Sequence, residues 1–231
     1  HYVVIDPDEA LARLDHALEL AGSLDDPRLE RLLRAFVSVT ELSAGRTDRG
    51  MEIAEEVGHE ATGDGYDVFI ANWAAWTGCL IRGDAERLRY WRERQRTYLS
   101  SIAIPEPWMF LWSTALNHAM EGDDPIAGLR LARVRADSEG HDIAADVILA
   151  FVVIELLAGR GTEAAGLLGL AMRSRLNNLS HYVLARTLRA RLRESLDHDT
   201  LTAAMRRGAQ WDAHEILDAR GISLGEPTAP A

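Results

Sequence analysis

The strongest constraint on the fold is a helix-ending glycine that recurs at a nearly fixed interval. Gly45, Gly83, Gly122 and Gly159 are spaced 38, 39 and 37 residues apart, and each follows a run with helical periodicity. A fixed period of roughly 20 to 50 residues is typical of repeat proteins, whose hairpins stack because none can bury its apolar face alone. The spacing therefore predicts an array of helical hairpins.

The residues that precede these glycines indicate that every hairpin buries an equivalent stripe. The residue three places before each glycine is apolar: Leu42, Leu80, Ala119 and Leu156. The residue ten places before each glycine is also apolar: Ala35, Trp73, Trp112 and Leu149. Apolar residues recur every three or four positions, and no alternating strand pattern stands out. These patterns predict an all-α fold of about twelve helices, a right-handed α-solenoid of tetratricopeptide-like helical hairpins. The predicted repeat domain spans 1–220, and 221–231 is predicted to be a disordered tail.

The charge balance narrows the range of partners. The chain has a formal net charge of −11, and all 25 of its basic residues are arginine. Surfaces that bind phosphate backbones need clustered positive charge, so the balance argues against direct binding of nucleic acid or of an anionic membrane. Because the sequence contains no lysine, it also excludes the phosphate-binding loop Gly-x4-Gly-Lys-Ser/Thr.

Cysteine usage and hydropathy predict a cytoplasmic protein. Cys79 is the one cysteine, which excludes an intrachain disulfide, and its apolar neighbours predict a buried thiol in a reducing compartment. Even the apolar run from Ile143 to Ala158 is interrupted by Asp146 and Glu155, so no membrane span is predicted. The sequence begins without a methionine or a signal-peptide pattern, and we therefore expect a fragment of a longer protein.

Aromatic residues are concentrated between residues 69 and 112, a segment that holds five of the six tryptophans. Trp73 and Trp112 occupy equal repeat positions, which favours a role in the core. Trp76, Trp91 and Trp108 have no such regular equivalents. Because the first helix of each hairpin lines the concave face of a solenoid, we predict that these three rings form a ligand or partner site. The alternative is that they too are core residues.

Arginines form a second candidate surface next to the aromatic cluster. Arg89, Arg92 and Arg96 share one face of a predicted helix and are assigned to the same site, where an arginine stacked on Trp91 or Tyr98 would bind an anion or an acidic peptide. The alternative is a solvated face on which nearby glutamates pair with the arginines. The same two interpretations apply to a second stripe further along the chain, formed by Arg186, Arg189 and Arg193.

No recognisable catalytic motif is present. The sequence contains no His-Glu-x-x-His pair, no Gly-x-Ser-x-Gly elbow and no dinucleotide-binding glycine pattern after a strand. One acidic cluster has ligand chemistry for a cation but is more typical of an ordinary polar turn: Asp137, Glu139, His141, Asp142 and Asp146. We therefore predict no catalytic residue, no metal, no cofactor and no enzymatic activity.

The C-terminal part of the chain, from Glu163 onward, resembles a known bacterial group. Glu163 to Ala171 resembles the A-A-x-L-L-G-A-A helix of multidomain signalling ATPases, mostly actinobacterial, that have tetratricopeptide-like C-terminal regions. The group includes LuxR-type transcriptional regulators and adenylate-cyclase-linked predicted ATPases. In that group the helix is followed by an Arg-rich helix, an acidic turn and a tail with glycine and glutamate. The matching segments of this sequence are 186–196, 197–205 and Gly208 to Leu217. The resemblance covers about a quarter of the chain. It implies that the ATPase, cyclase or DNA-binding modules lie outside this sequence, so no functional residue is carried over.

The sequence as a whole predicts a non-catalytic sensor or protein-interaction module of a larger signalling or transcriptional regulator. A protein partner or small-molecule effector would bind the concave face near Trp76, Trp91 and Trp108 and change how the hairpins stack. The alternative is a homo-oligomerisation scaffold in which exposed aromatic side chains form a homodimer face. A third alternative, an all-α enzyme, requires a deep pocket lined by convergent carboxylates or histidines.

Overall fold

A computed structural model describes residues 6–61, 65–174, 176 and 179–222. The described part of the chain is all-helical, as predicted, and contains no strand. Most of the predicted tail, 223–231, lies outside the described residues. The described residues form twelve helices: α1 (Pro7–Leu24), α2 (Pro27–Ser43), α3 (Thr47–Glu60), α4 (Tyr66–Arg82), α5 (Ala85–Ser101), α6 (Trp108–Glu121), α7 (Ile126–Ser138), α8 (Ala144–Leu157), α9 (Gly161–Arg173), α10 (Leu179–Ser195), α11 (His198–Gly208) and α12 (Ala213–Ala219).

The repeat glycines end their helices through one recurring turn. At Gly83 the main-chain N–H donates to Leu80, and the next N–H, from Asp84, donates to Cys79. This pair of hydrogen bonds is the Schellman motif, which requires a left-handed residue that glycine adopts without a Cβ clash. The same pair of bonds closes all four turns, and φ lies between 73° and 88° at Gly45, Gly83, Gly122 and Gly159.

Aspartates begin several of the helices. Asp26 accepts hydrogen bonds from two main-chain N–H groups of α2, and Asp212 does the same at α12. Asp84 and Asp197 cap α5 and α11 in the same way. Each carboxylate satisfies donors that the first helical turn leaves without a partner, which is why Asp, Pro and Gly mark the predicted boundaries well.

Two helix boundaries differ from those that the sequence predicts. In the sequence, Gly22 follows the apolar stripe of the first helix and predicts its end, but α1 continues to Leu24 and ends at Asp25, which takes the left-handed conformation at φ 53°. Aspartate reaches this region more easily than most residues because its short side chain bonds locally. Thr47 is a residue type that caps helices and predicts the cap of α3, but it is the first helical residue; Arg46 is the cap and makes no capping side-chain bond.

The chain divides into two compact units, His1–Glu106 and Pro107–Ala231. In the first unit α2 packs on α1, α3 and α4, and α4 also packs on α3 and α5. Glycines bring three of these helices close together. Gly50 on α3 faces Leu42 on α2, and Gly78 on α4 faces Met51 on α3 so tightly that a Cβ at either glycine would overlap its neighbour.

The second unit is built around α8 and α9. Helix α8 packs on α6, α9, α10 and α12, and α9 packs on α11. The α9–α11 crossing is a contact between backbones: a Cβ at Gly208 would overlap the main-chain oxygen of Gly166, and one at Gly169 would overlap that of Met205. Small residues at these positions therefore set the distance between the two helices.

Helix α8 is apolar nearly all round because neighbouring helices cover most of its faces. Its buried residues run from Ala145 to Val152 without a break and include Asp146. Glu155 is also buried, and its carboxylate pairs with Arg160 and Arg220. In the described part of the chain no helix is both long and apolar enough to span a membrane.

Candidate functional site

The three tryptophans predicted to form a ligand site all lie in the interior. Trp76, Trp91 and Trp108 expose only 2%, 1% and 3% of their surface. Trp76 and Trp91 belong to the first unit and Trp108 to the second. A ring buried to this extent presents no face to a ligand. The proposed aromatic pocket therefore loses the observation that motivated it, and these rings act in helix packing.

The two tryptophans at equal repeat positions differ from each other. Trp112 is fully buried, in agreement with the predicted core role. Trp73 is only partly buried, although its Nε1 atom is enclosed and has no hydrogen-bond partner within the described part of the chain. Buried indole N–H groups usually find an acceptor, so the unpaired Nε1 of Trp73 has a free-energy cost. The two tryptophans at equal repeat positions therefore lie in different environments.

The arginine that stacks on Trp91 is not one of the three predicted. The Arg94 guanidinium lies 5.2 Å from the centre of the Trp91 ring, and its Nη2 donates to the main-chain oxygen of Gly58 at 2.6 Å. The other neighbours of Trp91 are His59 and Tyr90, with ring centres 5.4 and 5.1 Å away. The hydrogen bond from Arg94 to Gly58 and the contact between the Trp91 and His59 rings join α5 to the end of α3, whereas the cation–π contact lies within α5.

The predicted arginine face is divided among three environments. Arg89 is exposed, Arg92 is buried, and Arg96 is partly buried. Arg96 forms ion pairs with Glu106 at 2.7 Å and Glu93 at 2.8 Å, and the hydrogen bond to Glu106 is the main cause that raises its pKa. For Arg96, the alternative of pairing with nearby glutamates is the one observed. The three guanidinium groups do not share one solvent-facing surface.

The most unusual polar arrangement lies in the second unit, between α6, α8 and α10. His181 on α10 places Nδ1 2.6 Å from the Asp146 carboxylate on α8, and both side chains are buried. Trp112 on α6 donates from Nε1 to the main-chain oxygen of Asp146 at 2.8 Å. Asp146 is the third residue of its helix, where a carboxylate also interacts favourably with the helix dipole. We call these three residues the Asp146 junction.

Two indole rings enclose the imidazole. The ring centres of Trp112 and His181 are 4.1 Å apart, and Trp108 meets His181 edge-on at 5.7 Å. The second ring nitrogen of His181, Nε2, is buried and has no hydrogen-bond partner within the described part of the chain. Asp146 and Trp112 thus fix the orientation of an imidazole of which one nitrogen remains unsatisfied.

The junction has part of the geometry of a catalytic pair, because a carboxylate orients an imidazole at Nδ1. Catalysis also needs Nε2 to reach a substrate, and only 1% of His181 is exposed. Its role in this conformation is therefore structural: a buried carboxylate and a buried imidazole held together by a hydrogen bond. Such a pair is costly to break, since removal of one partner leaves the other buried and unpaired.

Sequence reasoning placed Asp146 in a possible cation cluster and did not single out His181. The structure separates that cluster: Asp146 is buried, whereas Asp137, Glu139, His141 and Asp142 are exposed. No group of three or more His, Cys, Asp or Glu residues within the described ranges has the arrangement to hold a metal ion. The sequence signal for the junction is Asp146 itself, one of two carboxylates within a largely apolar helix.

Comparison with protein-family models, curated proteins and solved structures finds no match to this chain. The resemblance of the C-terminal part of the chain therefore stays a prediction. The residues that carry it have packing roles in this structure: Gly166 and Gly169 face α11, Gly208 faces α9, and Leu217 is buried. Close packing of two helices is sufficient to explain the small residues in that pattern.

Proposed function

We propose that the chain is a non-catalytic sensor or protein-interaction module of a larger cytoplasmic signalling or transcriptional regulator. In this proposal residues 1–220 form a right-handed α-solenoid of tetratricopeptide-like hairpins. A protein partner or small-molecule effector binds it and changes how the hairpins stack. An attached ATPase, cyclase or DNA-binding module outside this sequence responds to the change.

The observation that carries the proposal is the Asp146 junction. Helices α6, α8 and α10 all belong to the second unit, and the junction joins the three helices through two hydrogen bonds. A hydrogen bond weakens steeply with distance and angle, whereas apolar contacts tolerate sliding. Hairpins joined in this way favour discrete stacking arrangements, and a binding partner can select among discrete arrangements.

Trp112 provides an internal reporter for the test. Its indole donates to the Asp146 main chain and contacts the His181 ring, so a change in stacking should alter its fluorescence. The experiment titrates the full chain with adenine nucleotides and with peptides from candidate partner modules, following fluorescence and light scattering on the same sample. The proposal expects a saturable change in a monomeric sample.

Two variants locate the response. Trp112→Phe removes the reporter and should abolish most of the change, whereas Trp211→Phe removes a tryptophan outside the junction and should leave the change intact. Circular dichroism verifies that both variants fold. A response that is the same in Trp112→Phe and in the parent chain would exclude the junction as the sensing element. A silent titration across all probes would count against the sensor proposal.

The alternative proposal remains a homo-oligomerisation scaffold with an aromatic dimer face. The exposed aromatic side chains on the described surface include Tyr66, Tyr90 and Tyr182, whereas the predicted tryptophans are buried. Tyr66 stacks on Phe69 with ring centres 5.7 Å apart. A concentration-dependent mass that falls on Tyr66→Ser and Tyr90→Ser substitution would favour this alternative over the sensor.

A further inference from the structure

Helices α1 and α10 have mirrored charge compositions. Helix α1 carries four carboxylates and one arginine: Asp8, Glu9, Asp15, Glu19 and Arg13. Helix α10 carries four arginines and one carboxylate: Arg186, Arg189, Arg191, Arg193 and Glu194. A helix with a strong excess of one sign attracts a surface of the opposite sign and repels one of its own.

On each of the two helices, charges of one sign lie along one face. Asp8, Asp15 and Glu19 lie seven and four residues apart on one face of α1, and all three are exposed. Tyr182, Arg186, Arg189 and Arg193 follow the spacing of four, three and four residues on one face of α10. Residues at these intervals lie within a narrow strip along a helix. We call the first strip the acidic stripe and the second the basic stripe.

The side chains of the basic stripe face outward. Arg186 and Arg193 are exposed, Tyr182 exposes 41% of its surface, and Arg189 is partly buried. The Nε atom of Arg189 is enclosed and lacks a hydrogen-bond partner within the described residues. The exposed guanidinium groups of Arg186 and Arg193 are suitable contacts for carboxylates, because guanidinium and carboxylate groups form paired hydrogen bonds.

The acidic stripe lies on a helix with uncovered apolar surface. Helix α1 packs on α2, and its remaining surface includes Leu20 and Leu24, which expose 54% and 68% of their area. Asp15 has no ion-pair partner within the described part of the chain, and Asp8 stays largely exposed despite its pair with Arg46. The helix therefore offers both charge and apolar area to a second helix.

We propose that the basic stripe of one copy of this chain binds the acidic stripe of a second copy, in a head-to-tail contact. An antiparallel arrangement places Arg186 opposite Asp15 and Arg193 opposite Asp8. It also places Tyr182 at the end of α1 where Leu20 contributes apolar area. Two different surfaces meet in such a contact, so one copy keeps its acidic stripe uncovered and the other copy keeps its basic stripe uncovered, and further copies can add.

Charge complementarity favours a second copy over a nucleic acid as the occupant. The chain has a net charge of −11, so a polyanion that approaches the basic stripe is repelled by the rest of the molecule. A second copy presents a short acidic helix with apolar side chains next to its carboxylates. The stripe contact has to overcome the general repulsion between copies, and the contact should therefore be weak and sensitive to salt.

The test measures the mass of the full chain by sedimentation and light scattering over a wide concentration range at about 50 mM and about 1 M salt. The proposal expects assembly that grows with concentration at low salt and dissociates at high salt. The double reversals Arg186→Glu with Arg193→Glu and Asp8→Arg with Asp15→Arg should each weaken association about tenfold or more. An equimolar mixture of the two double variants should regain association, because each carries the charge that the other lacks.

A matched control reverses two exposed arginines of α11, Arg206→Glu with Arg207→Glu, and changes the net charge by the same amount outside the stripe. This control should not lower association by more than twofold. Circular dichroism shows that each variant is folded. The proposal is overturned if the parent chain is monomeric at every concentration, or if it associates equally with and without the stripe reversals. It also fails if the mixture does not regain association, and a DNA fragment that binds the basic stripe more tightly than a second copy would identify a different occupant.

Discussion

Cys79 illustrates how burial sets the chemistry of a single side chain. Its thiol is fully buried in α4, and desolvation by burial raises its pKa to about 12. In the unfolded chain the pKa of a cysteine thiol is about 8.5. At a pH between these two pKa values, the thiol has lost its proton in the unfolded chain but keeps it in the folded chain. The free energy of unfolding therefore falls as pH rises.

We therefore expect the parent chain to lose up to about 1.4 kcal/mol of stability per pH unit above pH 9, relative to Cys79→Ala. Urea unfolding of both proteins from pH 7 to pH 10.5 measures this difference. The tyrosines ionise in both proteins and cancel in the comparison. Parallel pH profiles for the two proteins would show that the thiol is not protected in the folded state.

The Asp146 junction makes a second prediction at the residue scale. Asp146→Ala leaves His181 without its acceptor, and His181→Ala leaves a carboxylate buried without its partner. Each single substitution should destabilise the chain by about 3 to 5 kcal/mol. The double substitution should cost clearly less than the sum, and a double-mutant cycle in urea measures the coupling. Additive effects would mean that the two side chains do not stabilise each other.

At the scale of helices, the α9–α11 crossing is the most restrictive contact. Any Cβ at Gly208 would overlap the main chain of Gly166, so Gly208→Ala must push the helices apart. We expect a loss of more than about 3 kcal/mol, since backbone atoms cannot yield as a flexible side chain does. Gly161→Ala is the matched control: it lies at the start of α9 with its nearest neighbour 3.6 Å away, and it should be neutral or slightly stabilising.

The turns that end the helices give a pair of predictions of opposite sign. Gly122 has φ 88° and open space around its Cα, so Gly122→Ala tests the left-handed conformation alone and should cost about 1 kcal/mol. Ala103 already has φ 54°, and Ala103→Gly should stabilise by up to about 1 kcal/mol. Thermal unfolding of the two variants and of the parent chain measures the two changes in stability. A loss of stability in Ala103→Gly would show that chain entropy outweighs the relief of strain.

Helices and their turns were largely predictable because their determinants are local. The repeat glycines, the capping aspartates and the three-to-four periodicity each act over a few residues. The miss at Gly22 has the same origin, since glycine is a frequent terminator but Asp25 took the left-handed position three residues later. Burial, in contrast, depends on helices that are distant in the sequence. The sequence around Trp76, Trp91 and Trp108 therefore does not show how many neighbours cover these rings.

At the scale of the whole molecule, the chain divides into two compact units. Each unit has buried residues of its own, including Ala35 and Trp76 in the first and Leu149 and Leu168 in the second. We expect 1–106 and 107–231 each to fold when produced separately, because a unit with its own core meets the requirement for an independent domain. Circular dichroism and cooperative urea unfolding measure this, and an unfolded half would show that its core is incomplete alone.

Hairpins that resemble one another can associate with the wrong neighbour while the chain is being synthesised. Apolar faces discriminate poorly between such neighbours, since most of them fit one another approximately. Asp146 changes this: a partner other than α10 would leave its carboxylate buried without an imidazole, at a cost of several kcal/mol. The same pair that holds the finished unit together thus acts earlier as well, because it favours α10 over another helix at that face of α8 while the unit folds.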